Sequence, residues 1–261
     1  MTKTLDLTGG RLVFEGFGDG PETIVFVHDA GRNHLSWWNQ TPRFQDDFRC
    51  ATYEVRDWQQ SQDLSGERLT VFSRDLGNLM DQLEISQTVL VGWSMGGFSV
   101  QALAARNYEH VPRLMIADTM VGICDDAMLG ALQDSLAAAD STTPETWMTQ
   151  MFGLAYVQRS PGGVFLYNQF RTLNTSPTNV GGYSVEDGAF TIDELKNLTM
   201  SVVLLVGIVD MLIPLPLFKR AADLIPHAKH VEVQTGSHSA YGELPDEFNR
   251  VLEELLAEVY D

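Results

Sequence analysis

Thr88-Val89-Leu90-Val91-Gly92-Trp93-Ser94-Met95-Gly96-Gly97 is the stretch on which the reading of this chain turns. An apolar run of buried-strand type leads into Gly92-x-Ser94-x-Gly96, and a helical stretch from Phe98 to Tyr108 follows at once. A serine on so sharp a strand-to-helix turn is held in a strained backbone conformation, with its hydroxyl raised above the sheet. Side chains at the flanking glycines would clash with the neighbouring strand and helix. The helix N-terminus adds partial positive charge where a negative charge would develop. Gly-x-Ser-x-Gly alone arises by chance; the strand before it and the helix after it give it meaning.

Outward from this turn, further short apolar runs stand at Ile24–Val27, Leu114–Ala117 and Val202–Val206, with a less apolar strand expected at Cys50–Val55 and a last one at Lys229–Gln234. Helical stripes lie between them. Leu76, Leu79, Met80 and Leu83 share one face, as do Phe248, Val251, Leu252, Leu255, Leu256 and Val259 near the C-terminus. Near the N-terminus, Leu5–Leu7 and Arg11–Phe14 flank Gly9-Gly10 and predict a hairpin. Alternating strands and helices imply right-handed crossovers and a doubly wound, mostly parallel α/β sheet.

The alternation lapses between Asp118 and Asn197. A stripe at Met128, Leu129, Leu132 and Leu136, a helix start at Thr142-Thr143-Pro144 and a segment rich in Trp147, Met148, Met151 and Phe152 read as helices, punctuated by Pro161-Gly162-Gly163 and Gly181-Gly182. The expectation is a core of residues 1–120 and 198–261 with a helical cap, residues 121–197, inserted between late strands. A surface insertion remote from any site is the alternative.

A serine hydroxyl needs a base, and on this architecture an acid and then a histidine should follow at later strand ends. Asp210 follows the Val202–Gly207 strand, and His238 follows the last strand in Thr235-Gly236-Ser237-His238. Of the six histidines, only His238 combines a strand-end loop with that chain order. Asp118, ending the Leu114–Ala117 strand, is the rival acid. Acyl transfer also needs two donors for the oxyanion, each worth about 3 kcal/mol. The backbone N–H of Met95 is one candidate, and Ala30, in the loop after Val27, is the other.

Composition narrows the partners. With 35 acidic and 17 basic residues the formal charge is −18, which disfavours nucleic acid and anionic membranes. Cys50 and Cys124 have no ligand-like spacing, and no nicotinamide fingerprint, P-loop or metal motif stands in the sequence, so no cofactor and no metal are expected. The N-terminus carries no apolar signal core, making a cytoplasmic protein acting on a small molecule the default. Oligomeric state is left open.

Phe26-Val27-His28-Asp29-Ala30-Gly31-Arg32-Asn33-His34-Leu35-Ser36-Trp37-Trp38 resembles the oxyanion-loop segment of the α/β-hydrolase superfamily. Gly92–Gly97 resembles its nucleophile elbow, Gly207–Asp210 its acid loop and Gly236–His238 its histidine loop, in order over essentially the whole chain. The resemblance implies a serine hydrolase with Ser94, Asp210 and His238 as catalytic residues, Ala30 and Met95 as the oxyanion hole, and a small to medium ester or lactone as substrate. Aspartate-nucleophile dehalogenases and epoxide hydrolases fit less well. Other readings on the same scaffold are a carbon–carbon bond hydrolase, a cofactor-free oxygenase or perhydrolase, and a slowly turning ligand receptor. Trp37, Trp93 and Met120 are candidate substrate-binding residues, with core packing as the competing role. Three positions depart from relatives: Asp29 where glycine is usual, Asp57 and Gln59 where two glycines are usual, and Gly242 where an aromatic is common.

Overall fold

The apolar runs pair as strands of one sheet in the computed structural model, which describes residues 2–67, 69–106, 109–119, 126–140, 144–174 and 192–258. In chain order the strands are β1 (Lys3–Leu7), β2 (Gly10–Phe17), β3 (Thr23–Val27), β4 (Arg49–Glu54), β5 (Gln62–Asp63), β6 (Thr88–Trp93), β7 (Arg113–Ala117), β8 (Ser201–Gly207) and β9 (Lys229–Val233). They lie in the order β1-β2-β4-β3-β6-β7-β8-β9, with β5 paired to β2. Pairing is antiparallel among β1, β2, β4 and β5, and parallel from β4 through β9. The sheet is thus mostly parallel, as the alternation predicts.

Both faces are covered. After the short α1 (Thr41–Phe44), helices α2 (Leu69–Gln82), α3 (Met95–Ala105) and α8 (Leu215–Ala222) close one face, where Val25, Val27, Leu76, Leu79 and Phe218 share a core cluster. On the other face, α10 (Pro245–Leu256) packs Phe248, Val251, Leu252 and Leu255 against Ile24, Phe26, Val89 and Val91. Alternate residues of β3 therefore serve opposite cores, which is why its sequence reads as an unbroken apolar run. Each large apolar side chain so buried contributes about 2 kcal/mol. Val259, at the end of the predicted C-terminal stripe, lies outside the described residues.

Two turn readings change. The hairpin turns at Thr8-Gly9 and not at Gly9-Gly10: Leu7 pairs with Gly10, and only Gly9 has positive φ, +74°. Gly10 belongs to β2, where a Cβ would meet the Gln62 carbonyl and the Arg56 guanidinium. Pro161-Gly162-Gly163 marks a boundary without a loop. Pro161 opens a new helix, where its missing N–H costs nothing.

Between β7 and β8 run α4 (Asp126–Asp140), α5 (Pro144–Arg159), α6 (Pro161–Thr172) and α7 (Ile192–Leu195). The chain inside α5 departs from helical geometry at Gly153 (φ 54°, ψ 145°). Gly181-Gly182 and Thr142-Thr143 lie outside the described residues. No described helix is long and apolar enough to cross a membrane.

Candidate functional site

The carboxyl ends of β3, β6, β7, β8 and β9 lie along one side of the sheet, and each delivers part of the site. Ser94 follows β6 with φ 51° and ψ −120°, a left-handed conformation that a non-glycine residue adopts only under constraint. The constraint is visible. Ser94 N–H donates to the Ala117 carbonyl at 2.9 Å, and Thr119 Oγ1 donates to the Ser94 carbonyl at 2.6 Å. A Cβ at Gly96 would strike the Val27 and His28 carbonyls, so the serine turn and the loop after β3 can abut only with glycine there.

Asp210 sits in the turn beyond β8. Its Oδ1 accepts the backbone N–H groups of Leu212 (2.7 Å) and Ile213 (3.0 Å), leaving Oδ2 for His238 Nδ1 at 2.8 Å. That pairing assigns the proton to Nδ1, so Nε2 is the acceptor facing Ser94 Oγ at 2.9 Å. The histidine loop is fixed twice. Trp93 Nε1 donates to the His238 carbonyl at 2.6 Å, and Val209 N–H donates to the Gly236 carbonyl at 3.1 Å. Both His238 and Asp210 are buried.

Asp118, the rival acid, makes a different connection. Its Oδ1 accepts the Gly207 N–H at 2.9 Å, tying the end of β7 to β8. Burial, reinforced by the nearby Asp210, pushes its pKa well above the ordinary carboxylate range. Glu243, on α9 (Ala240–Glu243), is pushed by burial up to about 7 and is in hydrogen-bonding contact with the Ser237 hydroxyl. The residue before His238 is thereby held from below.

The loop after β3 carries the second half. His28 is buried, its Nδ1 donating to the Asp29 carbonyl (2.7 Å) and its Nε2 accepting from Val55 N–H (3.0 Å). Burial lowers its pKa to about 3, so it is neutral. Asp29 is pushed by burial up to about 7, with Arg32 and His238 opposing. Asn33 caps the 3₁₀ helix His34–Trp37 by accepting the Leu35 N–H at 3.0 Å. It also donates to the Phe170 carbonyl (2.9 Å), while Asn174 Nδ2 donates to the Gly31 carbonyl at 2.7 Å. The loop is thus stapled to α6.

Ser94, His238 and Asp210 form one hydrogen-bonded line. Ala30, half-buried, lies in the loop that abuts the serine turn, and Met95 is the first residue of α3. Trp37 is buried among Phe26, Tyr241 and Phe248. Trp93 is likewise buried, its ring 4.1 Å from that of Tyr241 and 5.9 Å from the His238 ring. Met120 lies outside the described residues. A cleft of about 540 Å³ opens beside the acid turn, lined by Phe152, Tyr156, Val209, Met211, Thr235 and Glu243 among others. Sequence reasoning did not single out Thr119, Arg32, Tyr241 or Glu243. The two-residue spacing of Thr119 from Ala117, at a strand end facing the serine turn, is a signal that could have found the first. The others depend on tertiary contacts. Among the described residues, no group of three or more His, Cys, Asp or Glu side chains is placed to hold a metal.

Comparison with known proteins places the chain in company. The family model for the alpha/beta hydrolase fold matches residues 22–245. The chain is 25% identical over 246 residues to 3-oxoadipate enol-lactonase 2 of Acinetobacter baylyi, covering 92% of this chain and 90% of that one. Over 112 residues (41% of this chain, 39% of the other) it is 31% identical to the 2-hydroxy-6-oxononadienedioate/2-hydroxy-6-oxononatrienedioate hydrolase of Escherichia coli K12. Among solved structures, the enol-lactonase from Burkholderia xenovorans LB400 superposes with a TM-score of 0.80 at 22% identity, over 98% of this chain and 100% of that one.

Proposed function

This chain belongs to the α/β-hydrolase fold family, and we propose that it is a serine hydrolase that cleaves a small to medium lactone or ester through an acyl-enzyme on Ser94. The observation that carries this reading is the line from Ser94 Oγ through His238 to Asp210, with contacts of 2.9 and 2.8 Å. His238 Nε2 accepts the serine proton as Oγ attacks the carbonyl carbon. The oxyanion is held by the N–H groups of Ala30 and Met95, the latter at the positive end of α3. The intermediate collapses with proton transfer from Nε2 to the leaving oxygen. Water then attacks the acyl-serine by the same route, returning the free acid. Asp210 orients the imidazole and stabilises its charged form. The likeness to an enol-lactonase along nearly the whole chain favours lactones within this class.

Residues 121–197 serve as a cap over the strand ends in this reading. Its supports are the Asn33–Phe170 and Asn174–Gly31 hydrogen bonds, together with Ser237 Oγ donating to the Met151 carbonyl at 2.8 Å.

The test is hydrolysis of a graded series of p-nitrophenyl esters and five- to seven-membered lactones by the parent and by Ser94→Ala. A loss of at least about a thousandfold in the variant is expected. Equal rates in the two proteins, or no turnover of any substrate by a folded parent, would overturn the assignment.

A further inference from the structure

Arg32 is only 2% exposed, and the described residues meet its guanidinium poorly. Nη1 donates to the Gly31 carbonyl at 3.1 Å; Nε and Nη2 have no hydrogen-bond partner among the described residues. The ring of Tyr167, on α6, lies under the guanidinium carbon at 3.6 Å, which holds the group in place without using any of its N–H donors. A buried guanidinium is costly unless its donors are met.

The same protein contains a satisfied counterpart. Arg56, also buried, places Nε and Nη2 on the two oxygens of Asp75, at 2.7 Å each. That side-on pair of parallel donors matches a carboxylate. Arg32 presents the same edge, and no acidic side chain of the described residues meets it. Asp29 lies within electrostatic range, but burial keeps it protonated up to about pH 7, so it is less than a full counter-charge. Arg171 adds further positive potential.

Arg32 lies in the loop whose Val27–His28 carbonyls abut Gly96 of the serine turn, and Asp29 feels both Arg32 and His238. With a formal charge of −18, the molecule as a whole repels anions. A buried cation in the loop that abuts the serine turn is a local exception to that field.

We propose that Arg32 binds a free carboxylate of the substrate through its Nε/Nη2 edge, so that the ester or lactone opened at Ser94 is one that carries a second, ionised acid group. The proposal rests on the serine-hydrolase reading for its chemistry, but not for the binding site itself.

The experiment has two arms. In the first, the p-nitrophenyl monoesters of succinic, glutaric and adipic acids are compared with the neutral butyrate, valerate and hexanoate esters. For at least one chain length the parent should favour the acid ester at least tenfold in kcat/KM, chiefly through KM, and Arg32→Gln should abolish that ratio. In the second, calorimetry measures binding of glutarate and of valerate to Ser94→Ala, which cannot turn over. Glutarate should bind at least tenfold more tightly, and the difference should vanish when Arg32→Gln is added. Preference for neutral esters at every length, with turnover intact, sinks the proposal and leaves the hydrolase reading standing. So does a preference that survives in Arg32→Gln. No turnover of any ester, with Arg32-dependent glutarate binding, overturns the hydrolase reading and supports the site. Should Arg32→Gln fail to fold, the parent's ester preference and the glutarate–valerate difference in Ser94→Ala still decide.

Discussion

Asp210 and Asp118 stand at neighbouring strand ends, and their environments separate their roles. Asp210 is met by two backbone N–H groups and the imidazole, whereas Asp118 is met by the Gly207 N–H and its pKa is raised by burial, away from the histidine. Asp210→Asn should therefore lower kcat by about 10⁴, since the histidine loses its orienting acceptor. Asp118→Asn keeps an oxygen for the Gly207 N–H and leaves the Asp210–His238 contact untouched, so it should stay within about threefold of the parent, as steady-state kinetics would report. The sequence put Asp210 first and kept Asp118 as its rival; strand-end position alone could not show which carboxyl meets the histidine. Asp29 carries a stability prediction. Its pKa rises from 3.8 to about 7 on folding, so the folded state binds the proton more tightly than the unfolded chain. Its stabilisation is complete below about pH 4 and is lost as pH rises to about 7, an effect of at most roughly 4 kcal/mol. Urea midpoints of the parent and Asp29→Asn should consequently diverge, the variant gaining on the parent between pH 4.5 and pH 8. Parallel curves would place the titration elsewhere. The departures at Asp57 and Gln59 have a physical reading too. Both keep the positive φ (69° and 44°) that a glycine would adopt freely, so the backbone path is retained where the residue type is not.

At the scale of elements, the strands were legible because burial on both faces writes an apolar run, and the outer helices because burial on one face writes a stripe. What was less legible depends on contacts distant in sequence. Pro161-Gly162-Gly163 looks like a loop, yet helix α6 begins there and reaches back to the β3 loop. The staple between Asn33, Phe170 and Asn174 joins residues more than a hundred positions apart, and no local pattern announces it. Asn33 works in two places at once, capping the 3₁₀ helix and holding α6. Asn33→Ala should cost about 1–2 kcal/mol in denaturant unfolding. Hydrogen exchange should also quicken within residues 161–172 more than in α10, which shares none of these bonds. Uniform exchange across both helices would deny the staple a local role.

For the whole molecule, the charge of −18 spread over 261 residues is a field that the fold must tolerate. Several exposed cations are engaged with acids, as in Lys229–Glu254 at 2.6 Å and Lys219–Glu232 at 2.8 Å, but the excess remains. Added salt screens it, so Tm should rise by about 5 °C between low and half-molar sodium chloride; a flat or falling Tm would mean that these ion pairs outweigh the net repulsion. The sheet order has a consequence for the chain while it is being made. β7 ends at Ala117, and its partner β8 begins at Ser201, with residues 118–200 between them. At about 5–20 residues per second, a ribosome needs on the order of ten seconds to supply that partner. Throughout that interval β7 lacks its partner on one side, leaving a row of unpaired backbone N–H and C=O groups along a strand whose side chains from Leu114 to Ala117 are apolar. Sheltering that edge until translation passes Gly207 falls to the cell that makes the protein.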